Sequence, residues 1–137
     1  IAIAVLMPIV ASMGGNAGTQ AMTIYVRAIA TKDLVGSKYI NLIFKEFLIG
    51  SINGFLLSII MGLIAFFWFD NLMLAFAVGV SILINLGFAC LFGILIPITM
   101  NKLKIDPALA SGIILTTFTD VFGFLSFLSI ATYIINF

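Results

Sequence analysis

Apolar residues run along this chain in four long stretches, and polar residues gather in the gaps between them. A helix that crosses a membrane needs about 20 mostly apolar residues, because each residue rises ~1.5 Å through a hydrocarbon core of ~30 Å. Four segments meet that length: Ile1 to Ala30, Leu42 to Phe69, Leu72 to Met100 and Pro107 to Asn136. The first is interrupted by a polar, Gly-rich patch, GGNAGTQ, at residues 14–20. The segment TKDLVGSKYIN before the second is polar enough for a loop or a short interfacial helix. The pattern predicts an all-α, polytopic transmembrane helix bundle, with residues 1–137 forming one membrane domain.

Composition strengthens this reading. The chain is 64% hydrophobic and 8% charged, with a mean hydropathy of +1.34, whereas soluble domains carry about 25% charged residues. A net charge of +1 gives no basis for binding nucleic acid or acidic substrates. There is no histidine, which removes His-based zinc sites and His proton relays, and the one cysteine, Cys90, reads as a small buried hydrophobe. The chain begins with Ile1, and its first stretch lacks the basic flank of a signal peptide, so it reads as a piece of a longer protein. Arg27, Lys32, Lys38 and Lys45 flank the first connection, and Lys102 and Lys104 occupy the third, while the second, FDNL, has no basic residue. The positive-inside rule puts the two basic connections in the cytoplasm and the C-terminus outside, in the cell membrane as the expected location. Trp68 and Phe69 at one end of the second stretch, and Tyr39 at the other, suit the headgroup level.

Against this background Asp120 stands out, because it falls deep inside a predicted span. A carboxylate at the bilayer centre costs roughly 2.5–3.5 kcal/mol on insertion scales. Counting from the cytoplasmic ends at helical rise, Asn16 is about 16 Å deep, Asp120 about 21 Å and Asn85 about 22 Å. Three polar side chains from three spans thus fall near the midplane, which suggests a shared polar path, with unrelated interhelical hydrogen bonds as the alternative. On the fourth span Gly112, Thr116, Asp120, Gly123 and Phe127 share one helical face. Thr116 can aim its hydroxyl or carbonyl into the cavity of Asp120, or bond its hydroxyl to its own helix, as Thr119 can.

Gly14, Gly15 and Gly18 surround Asn16, and two compatible readings stand for them: local unwinding that exposes carbonyl oxygens, or close helix packing. Pro8 is placed to add a kink. Gly50, Gly54, Ser58 and Gly62, and likewise Ala89, Gly93 and Pro97, form small-residue stripes that mark close helix contacts. Asp106 before Pro107 suits a helix N-cap, with a weak attraction for cations as the alternative. Asp70 and Glu46 are expected at the interface, Asn53 is at most a polar contact, and the many Phe residues read as lipid-facing bulk and core filler.

One carboxylate among neutral oxygens suits a hard cation, and magnesium, which dehydrates reluctantly, suits a sparse site that leaves its waters in place. Two copies about a symmetry axis would supply two carboxylates, enough to balance a divalent charge. The residues alone leave a cation or a proton site open at Asp120; a divalent-cation channel or transporter becomes the leading function only with the family resemblance carried by residues 8–20 and 97–123. A proton- or sodium-coupled cation exchanger and a non-conducting structural subunit are the alternatives. No membrane HExxH and no Ser/His or Cys/His pair is present, so an enzyme is not expected.

The run PIVASMGGNAGTQ at residues 8–20, followed by Arg27, resembles the signature of the MgtE magnesium transporters and their animal solute-carrier relatives. Residues 97–123, PITMNKLKIDPALASGIILTTFTDVFG, resemble the last two spans of that family through the DPALASG and TTxTDVxG runs. The resemblance implies a homodimer with five helices per subunit, a central cation path and an extracellular C-terminus, so that the family's first span is missing from these four. It implies Mg2+ as the transported ion, with Co2+ or Mn2+ as further divalent cations. It implies that Asp120 binds the ion, that Asn16 and the backbone of Gly15 line the path, and that the backbone carbonyl of Thr116 belongs to the same site. Ile113 stands where the family often has Pro, and no CBS domain is present in this chain, so magnesium-dependent gating does not carry over.

Overall fold

A computed structural model of the chain describes residues 1–31 and 39–136. Its helices are α1 (Ala2–Ala30), α2 (Tyr39–Phe69), α3 (Leu72–Lys102) and α4 (Pro107–Ile135). All four are long and apolar enough to cross a membrane. Lys32, Lys38 and most of the expected polar connection, together with the placement of the Tyr39 ring, lie outside the described residues.

The helix ends follow from local chemistry. Asn71 caps α3 by accepting a hydrogen bond from the Leu74 N–H at 3.1 Å. Asp106 caps α4 by accepting from the Ala108 N–H at 3.0 Å, with Pro107 in the first turn where its missing N–H is harmless. Asp70 turns the chain between α2 and α3 with φ 49°, a left-handed conformation that Asp tolerates, and it is exposed there as expected. Trp68 is exposed at the end of α2, while Phe69 packs partly against the core.

α3 is the axis of the bundle. It packs against each of the other three helices, α1 also packs on α4, and α1 meets α2 only marginally. Half of its most apolar window, 50%, is buried within the protein, against 11% for α2, whose outer face carries a long run of exposed Ile, Leu and Phe. The small-residue stripes lie where these helices touch. A methyl added at Gly50 would come within 2.7 Å of the Leu86 carbonyl oxygen and 2.8 Å of Cys90 Cβ, so α2 approaches α3 at backbone distance. Gly93 allows the same approach between α3 and the Gly18 carbonyl of α1, at 2.6 Å for an added methyl. Cys90 is buried at these contacts, as a small apolar residue would be.

One expectation is corrected: α1 stays helical through residues 14–20, with no unwound turn. Its glycines serve close packing, and its backbone groups remain paired within the helix, which hydrocarbon surroundings demand.

Candidate functional site

α1 and α4 lie side by side and leave a groove of about 410 Å³ between them. Its lining includes Gly15, Asn16, Thr116 and Asp120, so all four candidate residues, about a hundred positions apart in sequence, meet in one place. The helical period explains how. Thr116, Asp120 and Phe124 are spaced four apart on α4, and Ser12 and Asn16 are spaced likewise on α1, so each helix presents one face to the groove, with the polar groups at Ser12, Asn16, Thr116 and Asp120. Asp120 is half-buried, whereas Ser12, Asn16, Thr19 and Thr116 are exposed within one chain.

Two hydroxyls of the groove have their protons committed. Thr116 donates to the Gly112 carbonyl at 2.8 Å, and Thr19 donates to the Gly15 carbonyl at 2.7 Å. Each hydroxyl oxygen then keeps its lone pairs as an acceptor. The Thr116 carbonyl accepts from the Thr119 hydroxyl at 3.2 Å, and Thr119 is buried behind it. The groove therefore combines one carboxylate with an amide and hydroxyl oxygens, a set suited to a hard cation or to the waters around one. Among the described residues no group of three or more His, Cys, Asp or Glu side chains gathers to cage a bare metal ion.

Asn85 does not join this lining. It is fully buried on α3, where its Nδ2 donates to the Val10 carbonyl of α1 at 2.7 Å. Depth along the helix axis does not fix direction: the rotation of α3 turns Asn85 to the rear of α1 and α4. The groove lining thus contains Asn16 and Asp120 without Asn85.

Sequence reasoning missed two polar residues of the lining and the inward turn of Glu46, which lies outside the groove. Ser12 and Thr19 line the groove, and their spacing of four from Asn16 and Gly15 was the available signal. Glu46, expected at the interface, turns inward and is only 7% exposed; it accepts a hydrogen bond from the Tyr25 hydroxyl at 2.8 Å. Tyr25 belongs to α1 and packs beside Ile94 and Ile98 of α3, so this bond ties α2 to α1 where the two helices otherwise barely touch. A further groove of about 480 Å³ between α1 and α2 brings Asn53 near Asn16 and Gln20.

Comparison with known proteins is consistent across the chain. Residues 7–130 match the MgtE family, described as a divalent cation transporter. The magnesium transporter MgtE of Bacillus subtilis is 35% identical over 136 residues, which covers 99% of this chain and 30% of that protein. The magnesium transporter MgtE of Enterococcus faecalis is 37% identical over 95% of this chain and 29% of its own length. That of Thermus thermophilus is 36% identical, again over 95% of this chain and 29% of its own length. The chain thus spans about 30% of the length of the curated relatives it matches. With its four membrane-length helices and its two matching motif regions, the chain belongs to the MgtE family of divalent cation transporters.

Proposed function

We propose that this chain forms the ion-conducting membrane domain of a magnesium transporter, moving a largely hydrated Mg2+ through a path lined by Asp120 and Asn16. The observation that carries the reading is the convergence of Asp120, Thr116, Asn16 and Gly15 in one groove between α1 and α4. Asp120 supplies the negative charge that offsets the cost of bringing a divalent ion toward the bilayer centre. Asn16, Thr19 and Thr116 offer oxygen acceptors to the donor hydrogens of water held by the ion. Magnesium gives up its waters slowly, so such an outer layer of acceptors suits its passage better than a tight cage. Co2+ and Mn2+, of similar size and charge, are expected to follow the same path.

The groove is open along one side of the single chain, and a carboxylate turned toward lipid is expensive. A second copy facing the first across this groove removes that exposure and brings two Asp120 side chains to one ion, whose charge they balance. The homodimer is therefore part of the proposal. Arg27, Lys45, Lys102 and Lys104 collect near the end of the bundle formed by the C-terminal ends of α1 and α3 and the N-terminal ends of α2 and α4. By the positive-inside rule that end faces the cytoplasm and the C-terminus faces outside the cell.

The test is flux in proteoliposomes containing the full-length protein. Wild-type protein should pass Mg2+ down its gradient without proton movement. Asp120→Asn preserves side-chain size and removes the charge, and it should lower Mg2+ flux by about 100-fold, the scale expected when a central charge is lost in a low-dielectric site. Wild-type flux and divalent-ion binding in that variant would overturn the assignment, and proton movement coupled to cation entry would favour an exchanger.

A further inference from the structure

Asn85 occupies an unusual place behind the ion groove. It is completely buried, and its Oδ1 has no hydrogen-bond partner. Its amide lies between the two helices that form the groove. A methyl added at Gly14 of α1 would meet Asn85 Cγ at 2.8 Å. A methyl added at Gly123 of α4 would meet Asn85 Nδ2 at 3.1 Å and Ala11 Cα at 3.0 Å. Gly14 adjoins Gly15, Gly123 follows Asp120 by three residues, and Ala11 itself borders the groove. A close approach of α1 and α4 thus lies behind the groove residues, and the Asn85 amide borders it.

Packing alone does not call for an amide there. An apolar side chain of similar branching would fill a core position without leaving a buried acceptor unpaired, which destabilises a fold. The amide adds a directional bond from Nδ2 to the Val10 carbonyl, and that bond fixes the rotation of α1 against α3. Rotation of α1 moves Asn16 and Gly15 relative to Asp120. We infer that Asn85 is a positioning residue for the ion groove: wedged between Gly14 and Gly123 and bonded to Val10, it sets the separation and rotation of α1 and α4, and so the fit of the groove to one divalent ion. The inference rests on the proposed role of Asp120 and Asn16.

Full-length protein in liposomes provides the test, with Mg2+ and Co2+ as the probes and folding followed by helicity and elution. Gly123→Ala adds a methyl 3.0 Å from Ala11 Cα and 3.1 Å from Asn85 Nδ2, so the wedge must open by a few tenths of an ångström. Asn85→Ala empties the wedge, and Asn85→Ala combined with Gly14→Ala refills part of it from the other helix. Folded Asn85→Ala and Gly123→Ala should each raise the half-saturating Mg2+ concentration several-fold, up to roughly tenfold, the scale of one lost hydrogen bond, and change the Mg2+/Co2+ preference. The double variant should recover part of the shift. If Asn85→Ala fails to fold, Gly123→Ala and the double variant decide the matter. Folded variants with wild-type half-saturation and ion preference would overturn the inference. Asp120→Asn measured alongside separates the two claims: its full activity would sink the site itself, whereas its loss beside unaltered Asn85 and Gly123 variants would sink only the positioning role.

Discussion

Asp120 and Glu46 are both carboxylates within membrane-length helices, yet their surroundings differ. Asp120 borders a polar groove open on one side, while Glu46 is buried and accepts from Tyr25. Glu46 therefore behaves as a structural tie, and its stability contribution can be measured. Tyr25→Phe leaves a buried carboxylate without its donor and should destabilise the fold by about 1–3 kcal/mol, seen as a lower thermal midpoint in detergent. Glu46→Gln keeps an acceptor for Tyr25 and should cost less. A smaller loss in Tyr25→Phe than in Glu46→Gln would show that the hydroxyl bond is unimportant. The cost of Asp120 could be read from the sequence because a charge in mid-span is conspicuous. The inward turn of Glu46 could not, because a position near a span end is compatible with either water or protein.

Among the helices, the stripe of Gly50, Gly54, Ser58 and Gly62 was legible because a close contact needs small residues at a helical repeat, whatever surrounds it. The structure puts that stripe against α3, with the Leu86 carbonyl in reach of Gly50. Gly50→Val should therefore force α2 away from α3 and cost about 1–3 kcal/mol through overpacking, read as reduced folded yield and a lower unfolding temperature. Gly62→Ala, whose added methyl would meet the Ala75 carbonyl at 3.4 Å, should be nearly neutral by the same measurement. The glycines of α1 were ambiguous in the sequence, because glycine serves both an unwound turn and a close contact. Their neighbours on α3 and α4 resolve this in favour of contact.

For the whole molecule, the decisive feature is that α3 is central and α1 and α4 carry the groove on one flank. If a second copy covers that flank, Ser12, which lines the groove, should lie close to its counterpart across the symmetry axis. Ser12→Cys in a protein whose Cys90 is replaced by Ala should then form an intermolecular disulfide in the membrane, whereas a cysteine at Phe67, on the outer face of α2, should not. Equal cross-linking at both positions, or none at Ser12, would count against the facing dimer. By itself the sequence determined that this is a membrane-spanning helical protein, where its helices run and that Asp120 and Asn16 lie at similar depth. Length, hydropathy and rise per residue suffice for those conclusions. Only the tertiary structure decided which face each helix turns inward. It sent Asn85 behind the groove instead of into it, buried Glu46 against Tyr25, and added Ser12 and Thr19 to the lining. The reason is physical: in a membrane both lipid and protein interior are apolar, so hydropathy fixes depth along a helix axis but leaves rotation about it to the fit of side chains between neighbouring helices.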